Sequence, residues 1–188
     1  MNKKEKILAY MFLVILILGT GFLTKSILQK NILVNISPSV PVGIYLRTSS
    51  KKTPAYGDLI RFCAPRWISE RGYTKTSRYC LNKRPALLKP IAALPGDKIG
   101  YTTKSGLRYL TLNNRITSAV VLKSDTKGRA MPMFRPGVVP PNSFLPLSTY
   151  NARSADGRYF GPVSDEKIIG WYKCFMCYTK KDLENRKN

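Results

Sequence analysis

The stretch ALLKPIAALPGD, residues 86–97, indicates the fold more directly than any other part of the sequence. It is an apolar run with one lysine, Lys89, near its centre, and it ends in the turn residues Pro95-Gly96-Asp97. Apolar runs that are bounded by proline, glycine and aspartate are typical of β-strands. We therefore expect a strand that carries Lys89 and then turns back into a hairpin.

Short strands are expected on both sides of this stretch. The strands predicted after it cover residues 98–103, 107–112 and 115–122, and those predicted elsewhere cover 58–64, 143–150 and 167–175. Two-residue turn signals, Ser105-Gly106 and Asn113-Asn114, separate the first three and are typical of a β-meander. Residues 125–141 contain four prolines and are expected to form a loop. No segment after residue 30 has a helical period, so the sequence predicts a mostly β domain of antiparallel sheets.

The chain is expected to divide into four parts. These are a cytoplasmic N-terminus at 1–6, a transmembrane helix at 7–24, a β-rich domain at 31–178 with an irregular insertion at 63–85, and a basic tail at 179–188. The uncharged run at 7–24 spans roughly 27 Å as a helix, close to the hydrocarbon thickness of a bilayer.

The lysines around this apolar run predict its orientation. Lys3, Lys4 and Lys6 precede the run, and positive charge is more sparse after it. By the positive-inside rule the N-terminus stays in the cytoplasm and the β-rich domain is exported. A cleaved signal peptide is the alternative, but its apolar region is usually shorter and ends at an Ala-x-Ala site, which this run lacks.

Composition excludes several classes of catalyst. The 188 residues include 32 Lys and Arg, 10 Asp and Glu and no histidine, which gives a net charge of +22. Without histidine there is no Ser-His-Asp triad, Cys-His pair or imidazole metal site. The chain also has few side chains that could form a zinc site or a two-carboxylate mechanism, and we expect no metal and no cofactor.

Four cysteines are available for disulfide bonds. In an oxidising compartment an even number favours disulfides over metal or redox sites. A bridge between Cys63 and Cys80 closes a loop of about 17 residues, worth on the order of 3 kcal/mol. For Cys174 and Cys177 a structural disulfide and two free thiols are both open, because a redox Cys-x-x-Cys needs a βαβ context that the sequence lacks.

Lys89 and Ser39 are the candidate catalytic residues. A lysine flanked by apolar residues loses hydration if its strand is buried, which lowers its pKa and makes the amine a general base. The alternative is that Lys89 faces water from an edge strand. Ser39 lies between Pro38 and Pro41 in a stiff segment, where ordinary turn chemistry is the alternative to a nucleophile.

Three blocks together resemble the type I signal peptidases, which are membrane-anchored Ser-Lys endopeptidases. SPSVP at 37–41 follows an apolar N-terminal run, as their nucleophile block does. LKPIAALPGD at 88–97 resembles their base block, and SADGRYFGPV at 154–163 resembles their third block. With the apolar run, these blocks span most of the chain.

The resemblance is closer to the TraF-type conjugative-transfer signal peptidases. Residues 35–45 follow their Asn-x-Ser-Pro-Ser-x-Pro-x-Gly-x-Tyr pattern, and residues 156–162 follow Asp-Gly-Arg-Tyr-Phe-Gly-Pro. These proteins also carry paired cysteines between nucleophile and base, at the places of Cys63 and Cys80 here.

The resemblance implies roles for the reacting residues. Ser39 Oγ is expected to attack the scissile carbonyl, and Lys89 Nζ to accept its proton. The Ser39 N–H and Ser37 Oγ are expected to hold the developing oxyanion, where loss of one donor typically costs 10²–10³ in rate.

The third block is expected to support the dyad. The resemblance implies that Ser154 hydrogen-bonds the lysine amine and that Asp156 pairs with Arg158 to brace the facing loop. The chain departs from the family pattern at three places. Pro90 stands where an Arg is usual and lacks a backbone N–H, and Gly157 replaces a usual Ser. One residue rather than two separates Ser39 from the next proline.

The implied function is cleavage of exported preproteins, a pilin or another conjugative-transfer precursor, through an acyl-enzyme at the periplasmic side of a bacterial inner membrane. The high charge favours a lipid bilayer as a partner, with no nucleic acid required, because basic residues are attracted to anionic headgroups. The alternatives are a non-catalytic membrane-anchored scaffold and a polyanion-binding accessory protein of a transfer apparatus. Whether water or an amine resolves the acyl-enzyme, and the oligomeric state, stay open.

Overall fold

The fold is given by a computed structural model that describes residues 4, 10–21, 31–48, 53–179 and 182. Residues 10–21 are helical and are named α1. Across these described ranges, no helix combines the length and the apolar character needed to cross a bilayer. Residues 7–9 and 22–24 of the predicted anchor lie outside the described residues, as do most of the predicted segments 1–6 and 179–188.

The part of the chain from residue 31 to 179, except for 49–52, is built mainly from β-strands. The strands are β1 Ile32–Asn35, β2 Val42–Thr48, β3 Leu59–Cys63, β4 Ala86–Ala93, β5 Lys98–Lys104, β6 Leu107–Leu112, β7 Arg115–Val120, β8 Gly137–Val138, β9 Ser143–Pro146, β10 Val163–Ser164 and β11 Ile168–Tyr178. Two one-turn helices, α2 Trp67–Glu70 and α3 Gly157–Phe160, and a 3₁₀ turn, Asp165–Lys167, lie between them.

The strands form two antiparallel sheets. The larger has the order β1-β2-β11-β3-β4-β9-β10, and the smaller has the order β7-β6-β5-β8. Every paired strand described runs antiparallel to its neighbour. The predicted mostly β, antiparallel fold is therefore confirmed.

The turns of the smaller sheet follow from their residue types. Ser105, Gly106, Asn113 and Asn114 all have positive φ, from 48° to 74°. Glycine and asparagine tolerate this conformation, and two consecutive residues with positive φ match the twist of a hairpin. The hairpins β5–β6 and β6–β7 consequently lie where the sequence predicts them.

Strand β4 brings Lys89 to the buried side of the larger sheet. Alternate residues of a strand point to opposite faces, and Lys89, Ile91 and Ala93 are the three buried residues of β4. Across the β3–β4 pairing Lys89 lies opposite Ile60, which is fully buried. The alternative that Lys89 faces water from an edge strand is therefore wrong, because β4 has strands on both sides.

Several elements differ from the sequence-based expectation. The loop at 125–141 contains the two-residue strand β8, the insertion contains α2, and the strand predicted at 143–150 ends at Pro146. A single helical turn is too short to produce a periodic pattern. The strand β8 exists because its backbone pairs with β5, a tertiary contact that the proline-rich sequence does not reveal.

Two disulfide bonds join the four cysteines. One connects Cys63 to Cys80 and closes the base of the insertion, and the other connects Cys174 to Cys177. Of the two alternatives left open for the second pair, the structure has the disulfide. It spans a β-bulge in β11, where the register with β2 shifts between Cys174 and Met176.

Candidate active site

Ser39 lies in the loop between β1 and β2 and is 8% exposed. The side chain of Asn35 crosses this loop. Its Nδ2 donates to the carbonyls of Ser37, Val40 and Pro41 at 2.8, 3.3 and 3.1 Å, and its Oδ1 accepts from the Ser37 N–H at 3.1 Å. One asparagine thus contacts four backbone groups, with its two amide protons shared among three carbonyls, and fixes the path of the chain around Ser39.

Two further residues of the 35–45 pattern support the same loop. Tyr45 is buried, and its hydroxyl donates to the Pro41 carbonyl at 2.5 Å. Burial raises the pKa of Tyr45 to about 12, so the hydroxyl stays a donor at neutral pH. Gly43 has φ +153°, and a Cβ there would overlap the backbone of Met176 in β11. No role for Asn35, Gly43 or Tyr45 follows from the sequence alone, although the 35–45 pattern contains them.

Ser37 contacts the candidate nucleophile directly. Its hydroxyl donates to Ser39 Oγ at 3.2 Å and accepts from the Ser39 N–H at 3.4 Å. The two groups expected to hold an oxyanion, Ser37 Oγ and the Ser39 N–H, therefore lie beside each other and beside Ser39 Oγ. The 3.4 Å contact is long for a hydrogen bond to a backbone N–H.

Burial determines the acid–base behaviour of Lys89. The residue is 4% exposed, and desolvation lowers its pKa from 10.5 to about 8. Two neighbouring charges act in opposite directions: Asp156 raises the pKa of Lys89, and Arg158 lowers it. Because these two effects oppose each other, desolvation dominates the shift.

Asp156 and Arg158 form an ion pair that is fully buried. Arg158 Nε lies 2.8 Å from Asp156 Oδ1, and Arg158 Nη2 lies 3.0 Å from Oδ2, so the contact is bidentate. Asp156 also caps α3 by accepting from the Arg158 N–H. The remaining guanidinium N–H groups donate to the carbonyls of Val120, Ala152 and Ser148. These bonds compensate for burying both charges.

Ser148 is a residue of this site that no sequence motif indicates. It follows β9, is fully buried and donates a hydrogen bond from its hydroxyl to the Ser39 carbonyl. Its N–H donates to Asp156 Oδ2 at 3.0 Å. A serine after a strand is ordinary turn chemistry, so no local sequence signal distinguishes it.

Ser154 is placed differently from the expectation. It is 1% exposed, and its Oγ has no hydrogen-bond partner among the described residues. The hydrogen bond to Lys89 that the resemblance implies is therefore not formed in this structure. The residue lies between Arg153 and Ala155 in the segment that leads into α3, and its N–H donates to the Asn151 carbonyl at 3.1 Å.

Two cavities adjoin the Ser39 loop. They have volumes of about 470 and 410 Å³, and both are lined by Val40, Pro41 and Tyr150. Pro38 also lines the larger one, so residues on both sides of Ser39 form its wall. Within the described ranges no group of three or more Cys, Asp or Glu side chains is arranged to hold a metal ion.

The family assignment comes from comparison with known proteins. The sequence model of the family described as signal peptidase, peptidase S26, matches residues 4–177. The chain belongs to the S26 signal peptidase family. This match includes the Ser39 loop, β4 and α3, the three parts of the fold that carry the candidate site.

Two similar proteins are named as transfer proteins. The chain is 33% identical over 144 residues to the conjugal transfer protein TraF of Agrobacterium fabrum (strain C58 / ATCC 33970), covering 73% of this chain and 77% of that protein. It is 29% identical over 143 residues to a plasmid transfer protein TraF of Escherichia coli, covering 72% and 77%. A signal peptidase I structure from Enterococcus faecalis V583 aligns with a TM-score of 0.36 at 19% identity, covering 65% of this chain and 98% of that one.

Proposed function

We propose that this chain is a membrane-anchored serine endopeptidase of the signal peptidase type, with Ser39 as nucleophile and Lys89 as general base. The observation that carries the proposal is the burial of Lys89, which lowers its pKa to about 8. A lysine with this pKa is partly neutral near physiological pH, and a neutral amine accepts a proton. This supplies base catalysis in a chain without histidine.

The reaction proceeds in two stages through an acyl-enzyme. Lys89 Nζ takes the proton of Ser39 Oγ as the oxygen attacks the scissile carbonyl, and the resulting ammonium gives that proton to the leaving amine. In the second stage neutral Lys89 takes a proton from the incoming water or amine, which attacks the ester. The ammonium so formed returns a proton to Ser39 Oγ as the ester bond breaks, so both residues are regenerated. The Ser39 N–H and Ser37 Oγ stabilise the negative oxygen in both stages.

The buried Asp156–Arg158 pair supports this chemistry without taking part in it. The pair holds the segment that leads into α3, and its two charges act in opposite directions on the pKa of Lys89. Removing either charge would change the fraction of Lys89 that is neutral. Because Ser154 Oγ makes no hydrogen bond among the described residues, Ser154 has no role in this proposal.

The exposed apolar side chains support a location at a lipid surface. The larger sheet carries such residues on neighbouring strands β1, β2 and β11 and on the loop after β1: Ile32, Val34, Ile36, Leu46, Phe175 and Met176. In a chain of charge +22 that has an apolar N-terminal run, exposed apolar side chains suit insertion among anionic headgroups. We propose a single transmembrane anchor at 7–24, with the β-rich domain on the periplasmic side of a bacterial inner membrane.

The cavities beside Ser39 give room for substrate residues on both sides of a cleavage site. Val40 and Pro41 line both cavities, and each also has a charged side chain in its wall, Arg153 in one and Asp58 in the other. The relatives are named as conjugal and plasmid transfer proteins. We therefore propose an exported precursor of a transfer system, such as a pilin precursor, as the substrate.

The test uses the full chain in vesicles that contain an anionic lipid. A preprotein with a small-x-small site is added, and product masses are measured for wild type, Ser39→Ala and Lys89→Met. We expect both variants to lose cleavage, while the matched controls Ser143→Ala and Lys98→Met keep it. Cleavage that persists in Lys89→Met would refute the dyad, and a wild-type chain that cleaves no precursor would favour the scaffold alternative. The product mass also distinguishes water from an amine as the second nucleophile.

A further inference from the structure

Ser148 connects the Ser39 loop to the buried ion pair. It lies two residues beyond the end of β9 and is fully buried. Its hydroxyl donates to the carbonyl of Ser39, 109 positions earlier in the chain. Its backbone N–H donates to Asp156 Oδ2 at 3.0 Å, and its backbone carbonyl accepts from Arg158 Nη2.

The hydroxyl of Ser148 has a defined orientation. Its oxygen accepts from the Tyr150 N–H at 3.3 Å, while its proton is directed to the Ser39 carbonyl. A hydroxyl has a single proton, so that donation is the one hydrogen bond it can give. Replacing Ser148 by alanine removes this donor from the Ser39 carbonyl and removes an acceptor from Tyr150.

The backbone bonds of Ser148 would survive such a change. The contacts with Asp156 and Arg158 use only main-chain atoms of Ser148. The environment that lowers the pKa of Lys89 therefore stays in place when the hydroxyl is lost. Ser148→Ala therefore changes how the nucleophile is held without changing the charges around the base.

We propose that Ser148 is a positioning residue for Ser39. This inference rests on the proposed peptidase function and adds a residue to it. Ser148 holds the main chain of the nucleophile against the segment that carries Asp156 and Arg158, and these two charges act on Lys89. Through this link Ser148 sets where Ser39 Oγ lies relative to the base.

The experiment measures kcat and KM on an internally quenched peptide with an Ala-Leu-Ala site, using the full chain in detergent. For Ser148→Ala we expect a fall in kcat of roughly 10²-fold with KM within about twofold, because small misplacements of reacting groups reduce turnover strongly. The pH midpoint of kcat should stay at its wild-type value. Ser148→Thr keeps the hydroxyl and should recover most of the lost turnover.

The matched control is Ser143→Ala, on β9, whose hydroxyl donates only to the Pro141 carbonyl at 3.4 Å. It should behave as wild type. The proposal is overturned if Ser148→Ala keeps wild-type kcat, if Ser148→Thr is as slow as Ser148→Ala, or if the pH midpoint moves with the substitution. If instead wild type cleaves nothing, or Ser39→Ala cleaves as wild type does, the proposed function fails and not merely the role of Ser148.

Discussion

Lys89 lies directly opposite Ile60 in the antiparallel pairing of β3 and β4, and the two residues are 4% and 0% exposed. Directly opposed residues of an antiparallel pair project from the same face of the sheet. The lysine therefore shares a buried face with an isoleucine that offers its amine no hydrogen bond. This placement explains why desolvation is the largest cause of its lowered pKa.

The first prediction concerns the pH dependence of turnover. Lys89 acts as a base only when it is neutral, and its pKa is about 8. We therefore expect kcat/KM to rise about tenfold per pH unit below pH 8 and to level off above it. Steady-state assays from pH 6 to 9.5 measure this rise in kcat/KM. A rate that still rises about tenfold per pH unit at pH 9.5, as the ordinary lysine pKa of 10.5 would give, or a flat profile, would contradict the assignment of Lys89.

The second prediction concerns the cost of burying Lys89. Between pH 8 and 10.5 the unfolded chain binds more protons at this residue than the folded chain does, so its contribution to stability rises with pH in that window. Below pH 8 the ammonium is charged in both states, and the full cost of its burial remains. Lys89→Met removes this cost and should raise the free energy of unfolding at pH 7 by about 3 kcal/mol.

Denaturant unfolding at pH 7 and at pH 10 measures this difference. The gain of Lys89→Met over wild type should shrink as the pH approaches 10.5, because neutral lysine carries no such cost. Lys98→Met, at an exposed position, is the matched control and should change little at either pH. An equal gain for Lys89→Met at both pH values would mean that packing, and not charge, is responsible.

The third prediction concerns the buried ion pair. Asp156→Asn leaves the guanidinium of Arg158 buried without its counter-charge, and we expect the free energy of unfolding to fall by about 3–5 kcal/mol. Glu70→Gln breaks the exposed Arg66–Glu70 pair instead and should cost less than about 1 kcal/mol. Urea denaturation of the two variants measures the contrast. Equal losses would show that burial does not govern the strength of these pairs.

The fourth prediction concerns the disulfides. Replacing Cys63 and Cys80 by serine opens a bridge with a sequence separation of 17, which should cost about 3 kcal/mol of stability. The bridge between Cys174 and Cys177 has a separation of 3, so the same double substitution there should cost roughly half as much. Chemical denaturation under oxidising conditions compares them. The reverse order would mean that strain or packing outweighs loop closure.

Local residue chemistry was sufficient to predict several features of the fold. The turns at 105–106 and 113–114 were predictable because positive φ favours a few residue types, whatever the surroundings. The burial of Lys89 could not be predicted from the sequence of its own strand alone. Its strand is apolar, but whether that strand lies at an edge or between two others depends on β3 and β9, which are distant in sequence.

The contacts within the candidate site were harder to predict from the sequence. The motif around Ser39 indicated a loop, yet the four hydrogen bonds of Asn35 depend on the loop's closed shape. Ser154 matched a motif but makes no side-chain hydrogen bond among the described residues. Ser148 matched none and contacts the Ser39 carbonyl.

The sequence by itself determined the β-rich class, the hairpin turns, the family and the candidate residues, because residue type and spacing encode local conformation and shared ancestry. Only the tertiary structure decided that Lys89 is desolvated and that Ser148 joins Ser39 to the Asp156–Arg158 pair. Desolvation depends on which strands cover a residue, and the Ser148 contact joins chain segments 109 positions apart. Such long-range contacts form only on folding and produce no residue pattern from which they could be predicted.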